Sequence, residues 1–230
     1  MTRYELERLL NLEERLVPKG NRNRTGRAMR ADRIAVHNTS NTSPGADALA
    51  HSRFLDKSEG DAGFGPTSWH FTVDDDRVIK HLPLGERGIH AYASGNGVTL
   101  GIEMCMNSDG LWAATVERTA RLVAALCFDF GWSIAAVKQH HDFPRSNGTQ
   151  KNCPVLLRGG EGGVTWDDFI ALSEGYLDGL HASEGFSAGF AVSKQAADPT
   201  GGAPVSGFVV EEDHDHADIL IPDELLSPPK

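Results

Sequence analysis

The run Val98–Cys105 constrains the fold of this chain more than any other segment, because it is almost continuously apolar. Such a run is typical of a strand in the centre of a sheet. Glu103 interrupts it. Burying a carboxylate without a partner is costly, so we expect Glu103 to have a positively charged neighbour or a chemical role.

Helical and hairpin patterns surround this strand in the sequence. The segments with a helical pattern of apolar residues are 4–16, 46–55, 113–130 and 165–180. Residues 68–73 and 77–82 flank a turn that contains three aspartates, which predicts a β-hairpin. We expect His51, in the second predicted helix, to lie at the surface.

Composition limits the kind of protein this is. The 230 residues are 40% hydrophobic and carry a net charge of −10, which suits a globular core and argues against a nucleic-acid partner. No apolar run approaches the ~20 residues of a membrane span, so we expect no membrane insertion. The pattern predicts one domain over residues 1–185 and an acidic, flexible tail rich in Gly, Pro and Ser over 186–230. A monomer is expected.

Metal-binding side chains concentrate between Gln139 and Cys153. Histidine nitrogen and cysteine sulfur are preferred zinc ligands, and a loop must fold back to bring His140 and Cys153 together. A third imidazole, His37, ends the predicted strand 33–37. Three protein ligands leave zinc an open fourth position, as in catalytic sites. The chemistry alone leaves His141 open as the ligand in place of His140.

Two further residues complete a catalytic set. Zinc lowers the pKa of its bound water from ~15.7 toward ~7, and Glu103 is a candidate base for that water. Lys151 is a candidate for stabilising a developing oxyanion. The alternative interpretations are a surface loop with incidental histidines and a structural, hydrogen-bonded role for His37.

Seven short motifs follow one another in a fixed order between about residues 10 and 180. They are Arg15-Leu-Val-Pro-Lys-Gly, Ile34-Ala-Val-His-Asn-Thr, Ser68-Trp-His-Phe-Thr-Val-Asp-Asp, His81-Leu-Pro-Leu, His90-Ala, Leu100-Gly-Ile-Glu-Met-Cys, and His140-His-Asp followed by Lys151-Asn-Cys-Pro. This set resembles the zinc-dependent N-acetylmuramoyl-L-alanine amidases of the type-2 amidase and peptidoglycan-recognition-protein superfamily. The likeness is to phage endolysin catalytic domains and bacterial autolysins.

The resemblance implies an α/β fold with a single mixed central β-sheet flanked by helices. It also implies that His140, rather than His141, binds Zn²⁺ together with His37 and Cys153. The family's catalytic pair matches Glu103 and Lys151.

The substrate-binding candidates are less strongly marked. The resemblance places His70 and His90 along the substrate cleft, and Asn38 directly follows the strand-end histidine. These three residues are the substrate-binding candidates.

The implied activity is hydrolysis of the amide bond between the lactyl group of N-acetylmuramic acid and L-alanine in peptidoglycan. A non-catalytic peptidoglycan-binding module and a zinc peptidase of the stem peptide are the alternatives. The first residues contain no apolar signal segment. We therefore expect synthesis in the cytoplasm and action on the bacterial cell wall after lysis, passage through a holin or another route.

Overall fold

A computed structural model describes residues 1–57 and 65–187. Its helices are α1 (Arg3–Leu10), α2 (Ala48–Asp56), α3 (Tyr92–Asn96), α4 (Trp112–Phe130), α5 (Val155–Gly159) and α6 (Trp166–Ser187). Its strands are β1 (Leu12–Glu14), β2 (Arg33–Asn38), β3 (Phe71–Val73), β4 (Val78–Lys80), β5 (Thr99–Met104) and β6 (Val137–Gln139).

The strands of the described chain form one six-stranded sheet in the order β1-β4-β3-β5-β2-β6. The hairpin β3–β4 is antiparallel, and the other neighbouring pairs are parallel. The sheet is therefore mixed, as predicted. Since β5, β2 and β6 are parallel neighbours, their carboxyl ends lie at one edge of the sheet, which is where ligands bind in many α/β folds.

Because side chains alternate along a strand, the two faces of β5 lie in different environments. Leu100, Ile102 and Met104 belong to the main apolar core. Thr99, Gly101 and Glu103 alternate with them and therefore lie on the opposite face. The central strand thus contributes to the core and to a polar site at the same time.

The main core forms where helices cover the apolar face of the sheet. Val116, Ala120 and Val123 of α4 are buried there at helical spacing, and α1 and α6 add further apolar side chains. The same helix has Gly131 in a left-handed conformation, φ 68°, at its C-terminal cap, a position that favours glycine. Burying apolar surface contributes a free energy of ~25 cal/mol per Å², and this stabilises the packing of the sheet against α4.

The predicted fold class and the main elements are confirmed, with one correction to the first helix. We expected this helix to reach residue 16, but α1 ends at Leu10. Asn11 takes a left-handed conformation, φ 49°, and the chain then pairs with β4 as the edge strand β1. The leucines after Leu10 therefore do not continue the helical face.

Two other expectations concern a membrane-spanning helix and the C-terminal tail. Within residues 1–57 and 65–187, no helix combines the length and apolar content that crossing a bilayer requires. Most of the predicted tail, residues 186–230, lies outside the described residues, including the acidic and histidine-containing run 211–218.

The prediction for His51 is wrong, because this imidazole is fully buried. Its Nδ1–H donates to the carbonyl of Asp47 at 2.8 Å, and its ring lies 6.3 Å from that of Trp69. Burial lowers the pKa of His51 to about 4. It likewise lowers the pKa of His70 to about 4 and that of His81 to about 3.

These buried imidazoles predict a loss of stability in mild acid. Each is neutral in the folded protein, whereas the unfolded chain binds protons below pH ~6.5. The free energy of unfolding should therefore fall as pH drops from about 6.5 to about 4, by up to ~1.4 kcal/mol per pH unit for each histidine. Urea titrations of metal-free protein across this range measure the slope.

A variant with one fewer titrating group serves as the control. In His51→Gln the free energy of unfolding should change less steeply with pH than in the parent, because about one proton fewer is bound on unfolding. A free energy of unfolding that stays constant between pH 6.5 and 5 would contradict the account.

Candidate metal centre

The carboxyl edge of the sheet assembles the site from three parallel strands. His37 near the end of β2 pairs in register with Glu103 of β5, so the two side chains project on the same face. Nδ1 of His37 lies 3.7 Å from Oε1 of Glu103. The register of the β2–β5 pair therefore sets the position of the imidazole relative to the carboxylate.

The third strand delivers His140. Strand β6 pairs with β2 and ends at Gln139, and His140–Asp142 follow as a short 3-10 turn. Asp142 stabilises this turn by accepting a hydrogen bond from the backbone N–H of Gln139 at 2.9 Å. Asp142, the third residue of the His140-His-Asp motif, thus caps the turn that holds His140.

The loop after this turn folds back to place Cys153. The side chain of His141 helps to fix it, because its Nδ1–H donates to the carbonyl of Lys151 at 2.9 Å. The backbone N–H of His141 also donates to the carbonyl of Cys153. His141 therefore holds the loop in place, and the structure brings His140 to the cluster instead.

The ligand atoms of His37, His140 and Cys153 lie within 4.8 Å of one another, and all three residues are buried. The Nδ1 atoms of the two histidines face each other at 2.9 Å. The sulfur of Cys153 accepts a hydrogen bond from the backbone N–H of Asn38 at 3.4 Å. Two imidazoles and one thiol thus converge on one point.

Burial makes Glu103 and Cys153 costly to ionise without a cation. It raises the pKa of Glu103 to about 8, while the positive charge of Lys151 acts in the opposite direction. It raises the pKa of the Cys153 thiol to about 12, assisted by the negative charge of Glu103. Within the described residues, Oε2 of Glu103 has no hydrogen-bond partner.

These observations fit a zinc ion. Two histidine nitrogens and a thiolate are typical zinc ligands, and three of them leave an open position. A buried cation would favour the ionised forms of the thiol and the neighbouring carboxyl. His37, His140 and Cys153 are the residues that would hold it.

The substrate-binding candidates have other partners in the structure. His70 is fully buried, its Nδ1 accepts from the N–H of Gly101, and its Nε2–H donates to the carbonyl of Glu86. Oδ1 of Asn38 accepts from the N–H of Leu156. Substrate contact by either residue stays a prediction, and for His70 the geometry does not support it.

His90 is also fully buried, and its Nδ1 lies 3.0 Å from Nε2 of His37. It therefore contacts a candidate metal ligand from behind. Like that of His70, its predicted contact with substrate is not supported by this geometry.

Sequence reasoning missed two features of the site: the pair of Tyr92 and Arg145, and the close approach at Gly101. The ring of Tyr92 lies 5.0 Å from that of His140, and its backbone has φ 53°, which is unusual for a residue with a side chain. The guanidinium of Arg145 lies above the same tyrosine ring at 5.1 Å. Gly101 is the other omission: a Cβ there would meet the His90 ring at 2.6 Å. A glycine inside a strand was the available signal for this close approach.

The structure is an α/β protein with a mixed sheet, and a buried His-His-Cys cluster at the carboxyl ends of its parallel strands is a candidate metal site. Comparison with known families is more specific. Residues 27–155 match the family model described as N-acetylmuramoyl-L-alanine amidase. The chain belongs to this family.

Individual relatives agree with the family match. The chain is 40% identical over 166 residues to N-acetylmuramoyl-L-alanine amidase XlyA of Bacillus subtilis, covering 71% of this chain and 51% of that protein. It is 34% identical to CwlH of the same species, covering 65% of this chain and 57% of the relative. The chain thus spans about half the length of the curated relatives it matches.

A solved structure covers the same region. The catalytic domain of XlyA superimposes with a TM-score of 0.62 at 40% identity, covering 71% of this chain and 99% of that domain. A region of this chain therefore corresponds to nearly all of that domain.

The two adjacent histidines offer a matched pair of variants for the metal centre. We expect His140→Ala to lose most of its zinc and His141→Asn to keep about one equivalent, because only His140 lies in the cluster. The amide N–H of the substituted side chain can still donate to the carbonyl of Lys151, so the loop is kept in place. Metal analysis after dialysis against zinc-free buffer measures both. Equal zinc content in the two variants would show that the cluster is not the metal site.

Proposed function

We propose that this chain hydrolyses the amide bond between the lactyl group of N-acetylmuramic acid and L-alanine in the peptidoglycan of the bacterial cell wall. The observation that carries the proposal is the buried cluster of His37, His140 and Cys153 beside Glu103. It lies in a chain that belongs to the N-acetylmuramoyl-L-alanine amidase family. We assign the catalytic domain to residues 1–185.

The three cluster residues would hold Zn²⁺, as their chemistry and burial support. When bound, zinc would polarise the substrate carbonyl and acidify a water molecule. All three ligands and both catalytic candidates come from one chain. A monomer would therefore contain a complete site.

Glu103 is proposed as the base that takes the proton of the attacking water. Its Oε2 has no hydrogen-bond partner within the described part of the chain, so one carboxylate oxygen remains for a water or substrate group. The residue is 4% exposed. Exchange of its proton with bulk water therefore competes little with proton transfer inside the site. After attack, the same carboxyl can pass the proton to the departing amine.

Lys151 is proposed to stabilise the negative charge that develops on the carbonyl oxygen. Its charge is close enough to oppose the rise in pKa at both Glu103 and Cys153. The hydrogen bond from His141 to its carbonyl holds the backbone at this position. A fixed cation aimed at developing charge stabilises a transition state more than the ground state.

Glu103→Gln tests the base, because the amide keeps the shape of the side chain but cannot accept the proton. We expect the rate of wall digestion to fall by about 10²–10⁴-fold with zinc content unchanged. Glu117→Gln, on the outer part of α4, is the matched control and should retain parental activity. A Glu103→Gln enzyme within a few-fold of the parent would exclude this role.

The products of the same digestion separate the candidate activities. Defined muropeptides should release stem peptides with a free N-terminal L-alanine and no new reducing ends. Cuts inside the stem peptide would instead identify a peptidase. Wall binding without any product from zinc-loaded protein would identify a binding module.

Lys151→Met tests the oxyanion role. Removing the charge should lower kcat by about 10²–10³-fold with a much smaller effect on KM. Lys138→Met is the control, since Lys138 lies on β6 at the same region of the sheet. Equal losses in the two variants would indicate a general effect of charge on wall binding.

A further inference from the structure

A continuous line of hydrogen bonds runs from the candidate metal ligand His37 into the body of the protein. Nε2 of His37 lies 3.0 Å from Nδ1 of His90, and Nε2 of His90 lies 3.5 Å from Oγ1 of Thr99. The hydroxyl of Thr99 donates to the carbonyl of Gly95 at 2.8 Å. The side chains of this line are buried.

The donor and the acceptor of each hydrogen bond follow from the group that ends the line, the carbonyl of Gly95. The Gly95 carbonyl can only accept, so the Thr99 hydroxyl donates to it and presents its oxygen to His90. In a neutral imidazole one nitrogen donates and the other accepts. Nε2–H of His90 therefore points at Thr99, and its Nδ1 is left as an acceptor.

That acceptor determines the state of His37. With Nδ1 of His90 accepting, His37 carries its proton on Nε2, and the lone pair of its Nδ1 faces His140 across 2.9 Å. The opposite tautomer would direct an N–H group into the cluster. The hydrogen bond made by one ring nitrogen thus decides what the other nitrogen can bind.

We propose that His90 is a positioning residue for the metal centre: it fixes the tautomer and orientation of His37 so that Nδ1 of His37 is available to the metal. This inference rests on the proposed function, because it assigns a task within the same site. It gives His90 a role different from the substrate contact that the sequence resemblance implied.

The space around the ring is an independent observation that supports this role. A Cβ at Gly101 would meet the His90 ring at 2.6 Å, and a Cβ at Gly88 would meet it at 2.9 Å. Two glycines therefore make room for one imidazole. Side chains at these positions would overlap the ring in its present position.

The backbone of His90 is fixed as well. Oδ1 of Asn96 accepts hydrogen bonds from the N–H groups of both His90 and Ala91, each at 2.7 Å. The imidazole is thus held through its main chain, through its ring contacts and through Thr99. Such restraint suits a group that must keep a ligand in one orientation.

Three substitutions of His90 distinguish the effect of its hydrogen-bond acceptor from the effect of the volume of its ring. His90→Phe keeps a ring but has no acceptor. His90→Asn places an amide oxygen near the former Nδ1, whereas His90→Gln reaches the former Nε2 position. If the acceptor at Nδ1 is what matters, only His90→Asn should recover the function of His90.

The primary measurement is zinc affinity by competition with a chromogenic chelator, on full-length protein whose folding is checked by circular dichroism. We expect the dissociation constant to rise about 10–100-fold in His90→Phe and His90→Gln, with His90→Asn closer to the parent. Unchanged affinity in folded His90→Phe or His90→Gln overturns the proposal. Equal weakening in all three variants also overturns it, since packing alone would then explain the loss.

A spectroscopic measurement reports the tautomer directly. In zinc-loaded parent protein, NMR of the histidine ring protons should show a slowly exchanging Nε2–H of His37, and this signal should be lost or exchange faster in His90→Phe. An unchanged signal contradicts the proposal. Zinc-binding parent protein that releases no product from peptidoglycan would refute the proposed function alone, because the affinity series does not depend on turnover.

Discussion

The parallel pairing of β2 with β5 is the constraint on which the rest of the site depends. It places His37 opposite Glu103 and, through the neighbouring pairing of β2 with β6, sets where the turn with His140 begins. A register shift of one residue would move these side chains to the other face of the sheet. The apolar residues that alternate with them in β5 prevent such a shift, because they are buried against α4. Core packing therefore holds the geometry of the polar site.

The same burial produces the electrostatic character of the site. A carboxyl with a pKa of about 8 and a thiol with a pKa of about 12 are poorly suited to ionise by themselves. A divalent cation changes this balance, because it favours both anionic forms in a medium of low dielectric constant. The chain thus forms a site whose charges are complementary to a metal ion. Behind this site, His90 and Thr99 connect the candidate ligand His37 to the backbone carbonyl of Gly95.

Much of this arrangement could be predicted from sequence where one local pattern decides the outcome. The apolar run around Glu103 and the helical spacing of α4 are signals of this kind, and the structure confirms both elements. His37, Cys153 and the pair His140–His141 were identifiable because few residue types bind zinc, and the choice of His140 came from the family resemblance. Their convergence is a tertiary property that follows from the parallel pairing of β2 with β5 and β6.

The errors arose where tertiary contacts override a local pattern. The helical pattern after Leu10 was broken by a left-handed Asn11 and by pairing of β1 with β4. His51 was placed at the surface, but α2 packs its polar side chain against Trp69. The glycine inside β5 signals a close approach, but the sequence does not indicate that the approaching group is the His90 ring, behind a ligand instead of facing substrate. That distinction for His90 depends on the room left by Gly101 on a different strand.

We expect two imidazoles and one thiolate from this single chain to bind a zinc ion with an open position. X-ray absorption at the zinc K-edge of the loaded protein tests it most directly. The spectrum should show one sulfur at ~2.3 Å, two imidazole nitrogens at ~2.0–2.1 Å and one further light atom. A first coordination shell without sulfur, or one made of oxygen alone, would contradict it.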